Sequence, residues 1–273
     1  MPELPEVETV KEQLKKRLIG RKIINIDIYY KDMIEYPSVY EFEKRIINQT
    51  IIDMKRRGKW LMFELDNYYL LSHLRMEGKY FIKTKQDYIN NHEHVIFTLD
   101  NKEQLRYQDT RKFGRMHLIE KEQVYLQQPL KDLGLEPWDE LLTVSYLKER
   151  YKKKSIPIKT TLLDQSIIVG IGNIYANEIL YLSKLNPYKP TKELSDKDIQ
   201  NIIDNTKIVL DKAIKLGGST IKSYTSLDGM DGRFQNELLV HSKENSKCPS
   251  CGNKIIKTII GGRGTYYCSN CQK

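Results

Sequence analysis

The sequence lacks any apolar run close to the roughly 20 residues that a membrane span requires, which argues against a membrane-spanning protein. The N-terminus also lacks the charged and apolar segments of a secretory signal, so we expect a cytoplasmic protein without a membrane partner. Internal repeats and low-complexity segments are missing as well. The chain of 273 residues, 40% hydrophobic and 30% charged, fits a soluble globular protein long enough for two domains.

Cysteine is absent from the chain until its last 26 residues. There, Cys248 and Cys251 form one CxxC pair and Cys268 and Cys271 form another, with sixteen residues between the pairs. This spacing is typical of a zinc ribbon, in which four thiolates hold one tetrahedral Zn²⁺ ion. Two disulfides or free thiols are the alternatives, and the missing secretory signal favours zinc. So small a module has almost no core without metal, and we expect binding and folding to be one event.

The segment between the cysteine pairs has glycines on both sides of Arg263, in the run Ile259-Ile-Gly-Gly-Arg-Gly-Thr-Tyr-Tyr267. This composition predicts a hairpin whose tip holds one guanidinium outward. The zinc module would therefore display a single cation at its end.

Acidic residues are outnumbered in this chain: 45 Lys and Arg against 36 Asp and Glu give a net charge of +9. We expect an anionic partner, with nucleic acid ahead of membrane, although a merely basic cytosolic protein would show the same total. Clustering favours nucleic acid. Residues 150–159 contain five basic residues and no acid, and the tail 241–273 contains six basic residues against Glu244 alone.

Hydrophobic periodicity predicts a strand-rich first part. Apolar residues recur at helical spacing over 5–19, which predicts an amphipathic helix, and a second helix is predicted around 39–47. Ile24, Ile26 and Ile28 are predicted to share one face of a strand. Seven alternating segments are present: 24–28, 61–65, 68–74, 79–83, 95–99, 104–108 and 115–120. Their close spacing predicts an antiparallel sandwich or barrel.

From about residue 130 the pattern changes to a linker at 131–137 and then to helical periodicity. The predicted helices are 143–152, 159–165, 173–183, 195–216 and 219–226. We therefore predict an α+β chain of three parts: a β-sandwich at 1–130, a helical part at 131–243 and a zinc hairpin at 244–273.

The residue that points most directly to chemistry is Pro2. A small second residue normally lets the initiator methionine be removed, which would leave the proline nitrogen as a secondary amine with a pKa of roughly 8. Such an amine condenses with an aldehyde-level carbon to a cationic iminium, which is a good electron sink. Glu3 and Glu6 stand close by in sequence and could protonate a leaving oxygen and orient water. The alternative is an ordinary Met-Pro start whose acids only favour the helix N-terminus.

The N-terminal run Met1-Pro-Glu-Leu-Pro-Glu-Val-Glu-Thr9 resembles that of the formamidopyrimidine-DNA glycosylase family, bacterial enzymes that excise oxidised purines. The resemblance extends over essentially the whole chain. Its further motifs are Arg57-Gly-Lys59-Trp-Leu61, Ser72-His-Leu-Arg-Met-Glu-Gly78, Tyr107-Gln-Asp-Thr-Arg-Lys-Phe-Gly114, Val169-Gly-Ile-Gly-Asn-Ile-Tyr-Ala176 and Gly217-Gly-Ser-Thr220. So many motifs in order are very specific. They imply a β-sandwich with flanking helices, a helix–two-turn–helix part and a zinc hairpin.

The resemblance implies catalytic roles for matching residues. Pro2 resembles the nucleophile that attacks C1′ of the damaged nucleotide, releases the base and holds the sugar as a Schiff base. Glu3 resembles the acid that protonates the ring oxygen as the sugar opens. Lys59 resembles a lysine placed at the lesion phosphate, where an ammonium can bind the backbone. Arg263 resembles the clamp on the phosphates that flank the lesion.

A glycosylase must take its target base out of the helix and fill the gap that remains. Met76, Arg111 and Phe113 match the family's three intercalating positions. Thr110 and Lys112 stand where the family usually has proline and arginine, which predicts a less stiff loop.

Phosphate contacts are implied for one loop and for the helical part. His92 matches a DNA-contact position of the family. Asn173 begins a predicted helix after two glycines, where amide hydrogens and a helix dipole meet. Lys153 and Lys154 fit the same groove. The other histidines of the first part, His73, His94 and His117, are predicted to be structural.

We therefore predict a bifunctional DNA glycosylase and lyase, a monomer with one Zn²⁺, that acts on oxidised purines and abasic sites in duplex DNA of the bacterial nucleoid. Schiff-base chemistry would drive β- and δ-elimination. One alternative is the endonuclease VIII branch, which shares the proline, the glutamate and the zinc hairpin but prefers oxidised pyrimidines; Leu4 and the Arg111/Phe113 pair favour the purine branch. A second is a catalytically idle zinc protein that only binds damaged DNA, for example because Met1 is retained.

Overall fold

The structure, a computed structural model, describes residues 1–219 and 232–273. They form two compact units, one made of Met1–Lys131 with Ser219 and Gly232, the other of Asp132–Gly218 and Arg233–Lys273. The predicted division into three parts with boundaries near 130 and 243 stays a prediction. Within the described residues, no helix combines the length and the apolar character needed to cross a membrane.

Helix α1, Leu4–Leu18, opens the first unit and confirms the helix predicted over 5–19. Pro5 lies in its first turn, where a backbone amide hydrogen is not needed. Three basic residues in the last turn face the negative end of the helix dipole. The residues at the predicted apolar spacing form its buried face: Val7, Val10, Leu14 and Leu18.

Nine strands of the first unit lie in two sheets, counted over the described residues. They are β1 Ile23–Ile28, β2 Ile34–Tyr36, β3 Asp53–Arg57, β4 Trp60–Glu64, β5 Tyr68–His73, β6 Lys79–Thr84, β7 Glu93–Leu99, β8 Glu103–Gln108 and β9 Arg115–Glu120, with helix α2 at Val39–Ile46. One sheet has the order β1-β7-β8-β6 and the other the order β2-β9-β5-β4-β3. All neighbours are antiparallel except the short pair of β2 and β9.

Both sheets and α1 contribute to one buried apolar cluster, which confirms the predicted sandwich. Phe63 of the five-stranded sheet meets Tyr80 of the four-stranded sheet edge-on, with ring centroids 5.6 Å apart. Burial of a large apolar side chain such as Phe97, which is 0% exposed, contributes about 1.5–3 kcal/mol. The core therefore fixes the two sheets face to face and with them the loops that join them.

Two expectations about the strands were wrong. Seven of the nine described strands of the first unit were predicted, and β2 and β3 were missed because β2 is only three residues long and β3 is mostly polar. Ile24 does not share a face with Ile26, since it is 45% exposed whereas Ile26 is buried. The pairing of β1 with β7 shifts register between Ile23 and Asn25, and this bulge turns Ile24 outward.

The second unit contains four described α-helices: α3 Val144–Tyr151, α4 Ile158–Thr161, α5 Asn173–Leu182 and α6 Asp196–Lys215. Three of them match their predicted ranges within one residue. The helix predicted over 159–165 ends early, because Asp164 accepts hydrogen bonds from the backbone amide and hydroxyl of Ser166 and turns the chain. The helix predicted at 219–226 lies outside the described residues from residue 220 onward.

The chain ends in a two-stranded hairpin of β10, Ile256–Ile260, and β11, Arg263–Tyr267. Gly261 and Gly262 form its turn with φ values of 55° and 72°, a conformation that glycine adopts without strain. Arg263 follows directly and is exposed, as predicted for the hairpin tip.

Candidate functional site

The N-terminus of the first unit is buried although Met1 itself is exposed. Pro2 and Glu3 are both buried, and Glu3 is 2% exposed. Burial lowers the pKa of the Met1 amine below its ordinary value, and the charge of Lys59 lowers it further. Glu3 and Glu6 act in the opposite direction but do not cancel the effect of burial. The structure thus brings four of the predicted catalytic residues to one place around the terminal amine.

Glu6 has both carboxylate oxygens engaged in hydrogen bonds. Oε2 accepts a hydrogen bond from the Glu3 amide at 2.8 Å, and Oε1 accepts bonds from the Ser219 amide at 2.8 Å and the Ser219 hydroxyl at 3.1 Å. Glu6 is 2% exposed. Glu6 therefore holds Glu3 and Ser219 in place. Its contact with Ser219 was not predicted from the sequence.

Lys59 lies in the two-residue turn between β3 and β4, where Arg57 pairs with Trp60. Gly58 precedes it with φ of 55°, which aims the lysine inward at the sandwich end. Lys59 is only 7% exposed, and its charge acts on both the terminal amine and His73. A buried ammonium beside the N-terminus is an arrangement that can bind an anion.

Two neutral histidines flank this lysine turn. The rings of His73 and His117 lie 4.8 Å and 5.4 Å from the Trp60 ring, both edge-on. Burial lowers the pKa of His73 to about 3 and that of His117 to about 4. Neutral His73 accepts the Arg75 amide at Nδ1, 2.9 Å away, and so shapes the start of the next loop. Both histidines are structural in this structure, as predicted.

The Met76 loop, residues 74–78, connects β5 to β6. Met76 is partly exposed at its tip. Arg75 has φ of 50°, and its amide is the one bound by His73. Glu77 lies close enough to the Met1 amine to raise its pKa. The loop that presents Met76 is therefore a neighbour of the N-terminal site.

The Phe113 loop, residues 109–114, connects β8 to β9 and is fixed by buried Asp109. The Asp109 carboxylate accepts the backbone amides of Arg111, Phe113 and Gly114 at 2.8–3.0 Å. Arg111 and Phe113 are exposed, and the guanidinium lies 4.7 Å from the ring centroid of Phe113. Asp109 thus stabilises a loop that was predicted to be less stiff. The loop presents the Arg111 guanidinium stacked on the Phe113 ring.

The connection from β6 to β7, residues 85–92, starts at the opposite end of the four-stranded sheet and reaches this end at exposed His92. The His92 carbonyl accepts the Asp109 amide at 2.9 Å, which joins this loop to the Phe113 loop. His94 is the second residue of β7, and its Nε2 bonds the Asp109 carbonyl at 2.9 Å, in line with its predicted structural role. Three loops that carry predicted DNA contacts therefore converge on one end of the sandwich.

The predicted phosphate contacts of the second unit fall into two groups. Asn173 is the first residue of α5, and its Nδ2 donates to the Gly264 carbonyl at 2.9 Å, directly beside Arg263. Lys153 is exposed, whereas Lys154 forms an ion pair with Asp164 at 3.2 Å. Asn173 therefore links the helix start to the hairpin, and of the two lysines Lys153 is the more available to a ligand.

The four cysteines lie close enough to share one metal ion. Cys248 and Cys271 have their sulfurs 3.8 Å apart, Cys251 and Cys268 have theirs 3.5 Å apart, and all four lie within 4.8 Å of one another. A tetrahedral zinc with Zn–S bonds of about 2.3 Å would place its sulfurs roughly 3.8 Å apart, so the geometry fits. The crowding raises the pKa of Cys271 to about 12, first through its hydrogen bond with Cys251. A divalent cation would allow all four thiolates to form.

Several residues of the site were not singled out from the sequence: Arg106, Asp109, Tyr107 and Ser219. Arg106 is 0% exposed and forms an ion pair with buried Glu93 at 2.9 Å. Arg106 lies inside the predicted strand 104–108, whereas Glu93 precedes the predicted strand 95–99, so no signal in the sequence indicated this pair. Asp109 and Tyr107 were visible only as members of a motif.

Three family models match the chain. The formamidopyrimidine-DNA glycosylase N-terminal domain matches residues 1–116, the H2TH domain of the same enzyme matches 133–225, and a zinc finger found in this enzyme and in isoleucyl-tRNA synthetase matches 245–273. The match to the first and third confirms the predicted sandwich and zinc finger, and the second confirms the predicted helix–two-turn–helix.

Named relatives agree with the family models. A formamidopyrimidine-DNA glycosylase of Oceanobacillus iheyensis is 45% identical over 100% of this chain and 98% of its own length. A point mutant of the Lactococcus lactis enzyme, in complex with DNA containing Fapy-dG, matches with a TM-score of 0.94 at 42% identity over all of both chains. The wild-type Lactococcus lactis enzyme with DNA containing an oxidised pyrimidine matches with a TM-score of 0.92 at 41% identity, again over all of both chains. This chain belongs to the formamidopyrimidine-DNA glycosylase family.

Proposed function

We propose that this chain is a base excision repair enzyme that removes oxidised purines from duplex DNA and then cleaves the abasic strand. The observation that carries the proposal is the buried N-terminus, where the terminal amine has a lowered pKa and lies among Glu3, Glu6 and Lys59. A lowered pKa increases the neutral, nucleophilic fraction of a terminal amine, and a nearby buried acid and ammonium supply the proton and the phosphate contact that the reaction needs.

Pro2, exposed as the N-terminus once Met1 is removed, attacks C1′ and loses the proton of its ring nitrogen, and the bond to the damaged base breaks as the base departs with its electron pair and takes up a proton. Glu3 protonates the ring oxygen, the sugar opens, and the nitrogen lone pair forms the iminium. Loss of the C2′ proton then breaks the C3′–oxygen bond, and a second elimination breaks the C5′–oxygen bond. The cationic nitrogen accepts the electrons in each step.

The remaining predicted residues bind DNA or hold the site. Lys59 and Arg263 bind phosphates, while Met76, Arg111 and Phe113 fill the gap left by the displaced base. Glu6 keeps Glu3 in place through the bond to its amide. His92, Asn173, Lys153 and Lys154 grip the backbone, which would keep the enzyme at nucleoid DNA. One zinc ion at the four cysteines supplies folding energy to the hairpin and takes no part in the reaction.

Borohydride trapping on a duplex with one abasic site tests the enzyme activity. We expect a covalent adduct with protein that lacks Met1 and loss of the adduct in a Pro2→Gln variant, whose larger second residue keeps Met1 in place. Protein without Met1 that forms no adduct would contradict the proposal and favour the idle DNA-binding protein.

Oxidised pyrimidines are a second candidate substrate class, because a relative 41% identical to this chain forms a complex with DNA containing one. Single-turnover excision from matched duplexes containing 8-oxoguanine or thymine glycol separates the two classes. We expect faster release of 8-oxoguanine, and faster release of thymine glycol would reverse the assignment.

A further inference from the structure

The Met76 loop and the Phe113 loop run side by side across the same end of the sandwich. Each loop leaves one sheet and enters the other. The strands on one side pair through His73 and Arg115, and those on the other side pair through Lys79 and Gln108. The two loops therefore begin and end next to each other. The residues packed beneath them determine the distance between them.

Tyr107 lies beneath both loops and is 0% exposed. A Cβ atom added to Gly78 of the Met76 loop would lie 2.2 Å from the Tyr107 hydroxyl oxygen, and one added to Gly114 of the Phe113 loop would lie 1.8 Å from it. No real Cβ contact is that short. The phenol oxygen therefore touches the backbone of both loops at the two positions where the chain has no side chain.

This hydroxyl has no hydrogen-bond partner among residues 1–219 and 232–273. A buried polar group without a partner destabilises a fold, so its presence needs another explanation. Burial, and then the charge of Asp109, raise the pKa of Tyr107 well above its usual range, and the group stays a neutral hydroxyl. With no bond to make, it acts on the loops by its size.

The ring that carries the hydroxyl is held from the core side. Tyr80 contacts the Tyr107 ring edge-on, with centroids 5.1 Å apart, and the Tyr80 hydroxyl donates to the Ser72 hydroxyl at 2.7 Å. A phenol supported in this way cannot retreat when the loops press on it. Its oxygen therefore sets how closely the two loops can approach each other and the core.

We propose that Tyr107 is a positioning residue for base displacement, whose hydroxyl acts as a spacer that holds the Met76 loop and the Phe113 loop at the separation needed to enter the DNA helix together. The inference rests on the proposed gap-filling roles of Met76 and Phe113. Without the oxygen, both loops settle onto the ring, and their side chains no longer match the space left by the base. Tyr107 touches neither the substrate nor the reacting atoms.

Tyr107→Phe tests the spacer, and Tyr80→Phe is its matched control, since each removes one buried hydroxyl from the same core. Three quantities are measured for both: single-turnover excision of 8-oxoguanine, fluorescence of a 2-aminopurine placed beside the lesion, and the thermal midpoint. For Tyr107→Phe we expect excision and the fluorescence rise to fall by roughly tenfold, less than the roughly hundredfold loss that a 1 Å misplacement can cause, with the midpoint unchanged or raised. For Tyr80→Phe we expect a lower midpoint with excision unchanged, because the variant loses a satisfied hydrogen bond but keeps the ring that contacts Tyr107.

Gly114→Ala supplies the reciprocal test. The three nearest atoms to its added methyl all belong to Tyr107, so the closest contacts of that methyl are with this side chain. We expect Gly114→Ala to lose excision and the double variant with Tyr107→Phe to regain only part of it, because removal of the oxygen relieves the 1.8 Å contact and leaves the ring carbon Cζ 2.7 Å from the added methyl. A double variant no better than Gly114→Ala would overturn the spacer.

Borohydride trapping on a preformed abasic duplex separates this inference from the proposed function. If the unaltered protein neither excises nor traps, the proposed function fails. If it does both and Tyr107→Phe excises as well as Tyr80→Phe does, the spacer is refuted. Trapping that falls as far as excision would also refute it, because the defect would then lie in the chemistry and not in removal of the base.

Discussion

Arg106 offers the sharpest test of how the loops are held, because its guanidinium is 0% exposed and donates five hydrogen bonds. Nε donates to the Gln104 side chain at 3.0 Å. Nη1 donates to the Glu93 carboxylate at 2.9 Å and to the Tyr88 carbonyl at 3.1 Å. Nη2 donates to the carbonyls of Thr84 and Asp87 at 2.7 Å and 3.0 Å. One buried cation therefore fixes both the strand end and the loop that leads to His92.

The substitution Arg106→Met preserves much of the apolar volume and removes all five donors. It leaves Glu93, which is 2% exposed, with Lys83 as its ion-pair partner. Removal of one partner from a buried pair typically costs about 3–5 kcal/mol, because the other charge stays buried. Lys83 compensates in part, and the three carbonyls that lose their donor can form hydrogen bonds with water. We therefore expect the free energy of unfolding to fall by an amount near the lower end of this range, about 3 kcal/mol.

The free energy of unfolding in urea, followed by circular dichroism, measures this loss. Arg17→Met is the matched control, since Arg17 pairs with Glu103 at 3.1 Å while 51% exposed, and such surface pairs contribute about 0–1 kcal/mol. We also expect Arg106→Met/Glu93→Leu to be more stable than Arg106→Met alone, because the double variant leaves no buried charge without its partner. Equal losses for Arg106→Met and Arg17→Met, or a double variant less stable than the single, would refute the reasoning.

Three further predictions follow from single side chains. His73 has a pKa of about 3 in the folded chain and 6.5 when unfolded, so it contributes stability above pH 6.5. This stability is lost as the pH falls from 6.5 toward 3, because only the unfolded chain binds the proton. His73→Asn should therefore reduce the dependence of the free energy of unfolding on pH by up to about 1.4 kcal/mol per pH unit, measured by urea unfolding across this range. Asp109→Ala removes the carboxylate that accepts three backbone hydrogen bonds. It should lower the free energy of unfolding in urea by roughly 2–4 kcal/mol and weaken binding to lesion duplexes, whereas Lys112→Ala should preserve stability. Arg263→Ala should weaken DNA binding and elimination and leave the zinc content, measured by atomic absorption, unchanged. Cys268→Ala should lose zinc as well. Loss of zinc in Arg263→Ala would show that the arginine has a structural role.

The sequence was sufficient wherever one local rule decided the outcome. The spacing of apolar residues located α1, and the CxxC pairs located the metal site, because both depend only on distance along the chain. The two glycines before Arg263 likewise determine a turn by themselves. Motif order was enough to identify the residues at the loop tips, Met76 and Phe113 among them.

Other features depend on partners that are distant in sequence, and these could not be predicted. Strand β3 has one fully buried apolar residue, Met54, and becomes a strand because β4 pairs with it. Ile24 faces outward because of a bulge against β7, which its own alternation does not reveal. Glu6 has the pattern of a helix N-terminal acid, and its bond to Ser219 depends on a residue 213 positions away.

Three buried polar residues act as roots, each of which holds a loop whose tip is predicted to contact DNA. His73 holds the Met76 loop, Asp109 holds the Phe113 loop, and Arg106 holds the loop of His92. A strand residue with a polar side chain resembles a solvent-facing one in the sequence, so burial becomes visible only when the neighbouring strands are known. Substitutions at the tips should therefore reduce function and preserve stability, since an exposed side chain contributes little to folding, whereas substitutions at these three roots should reduce both.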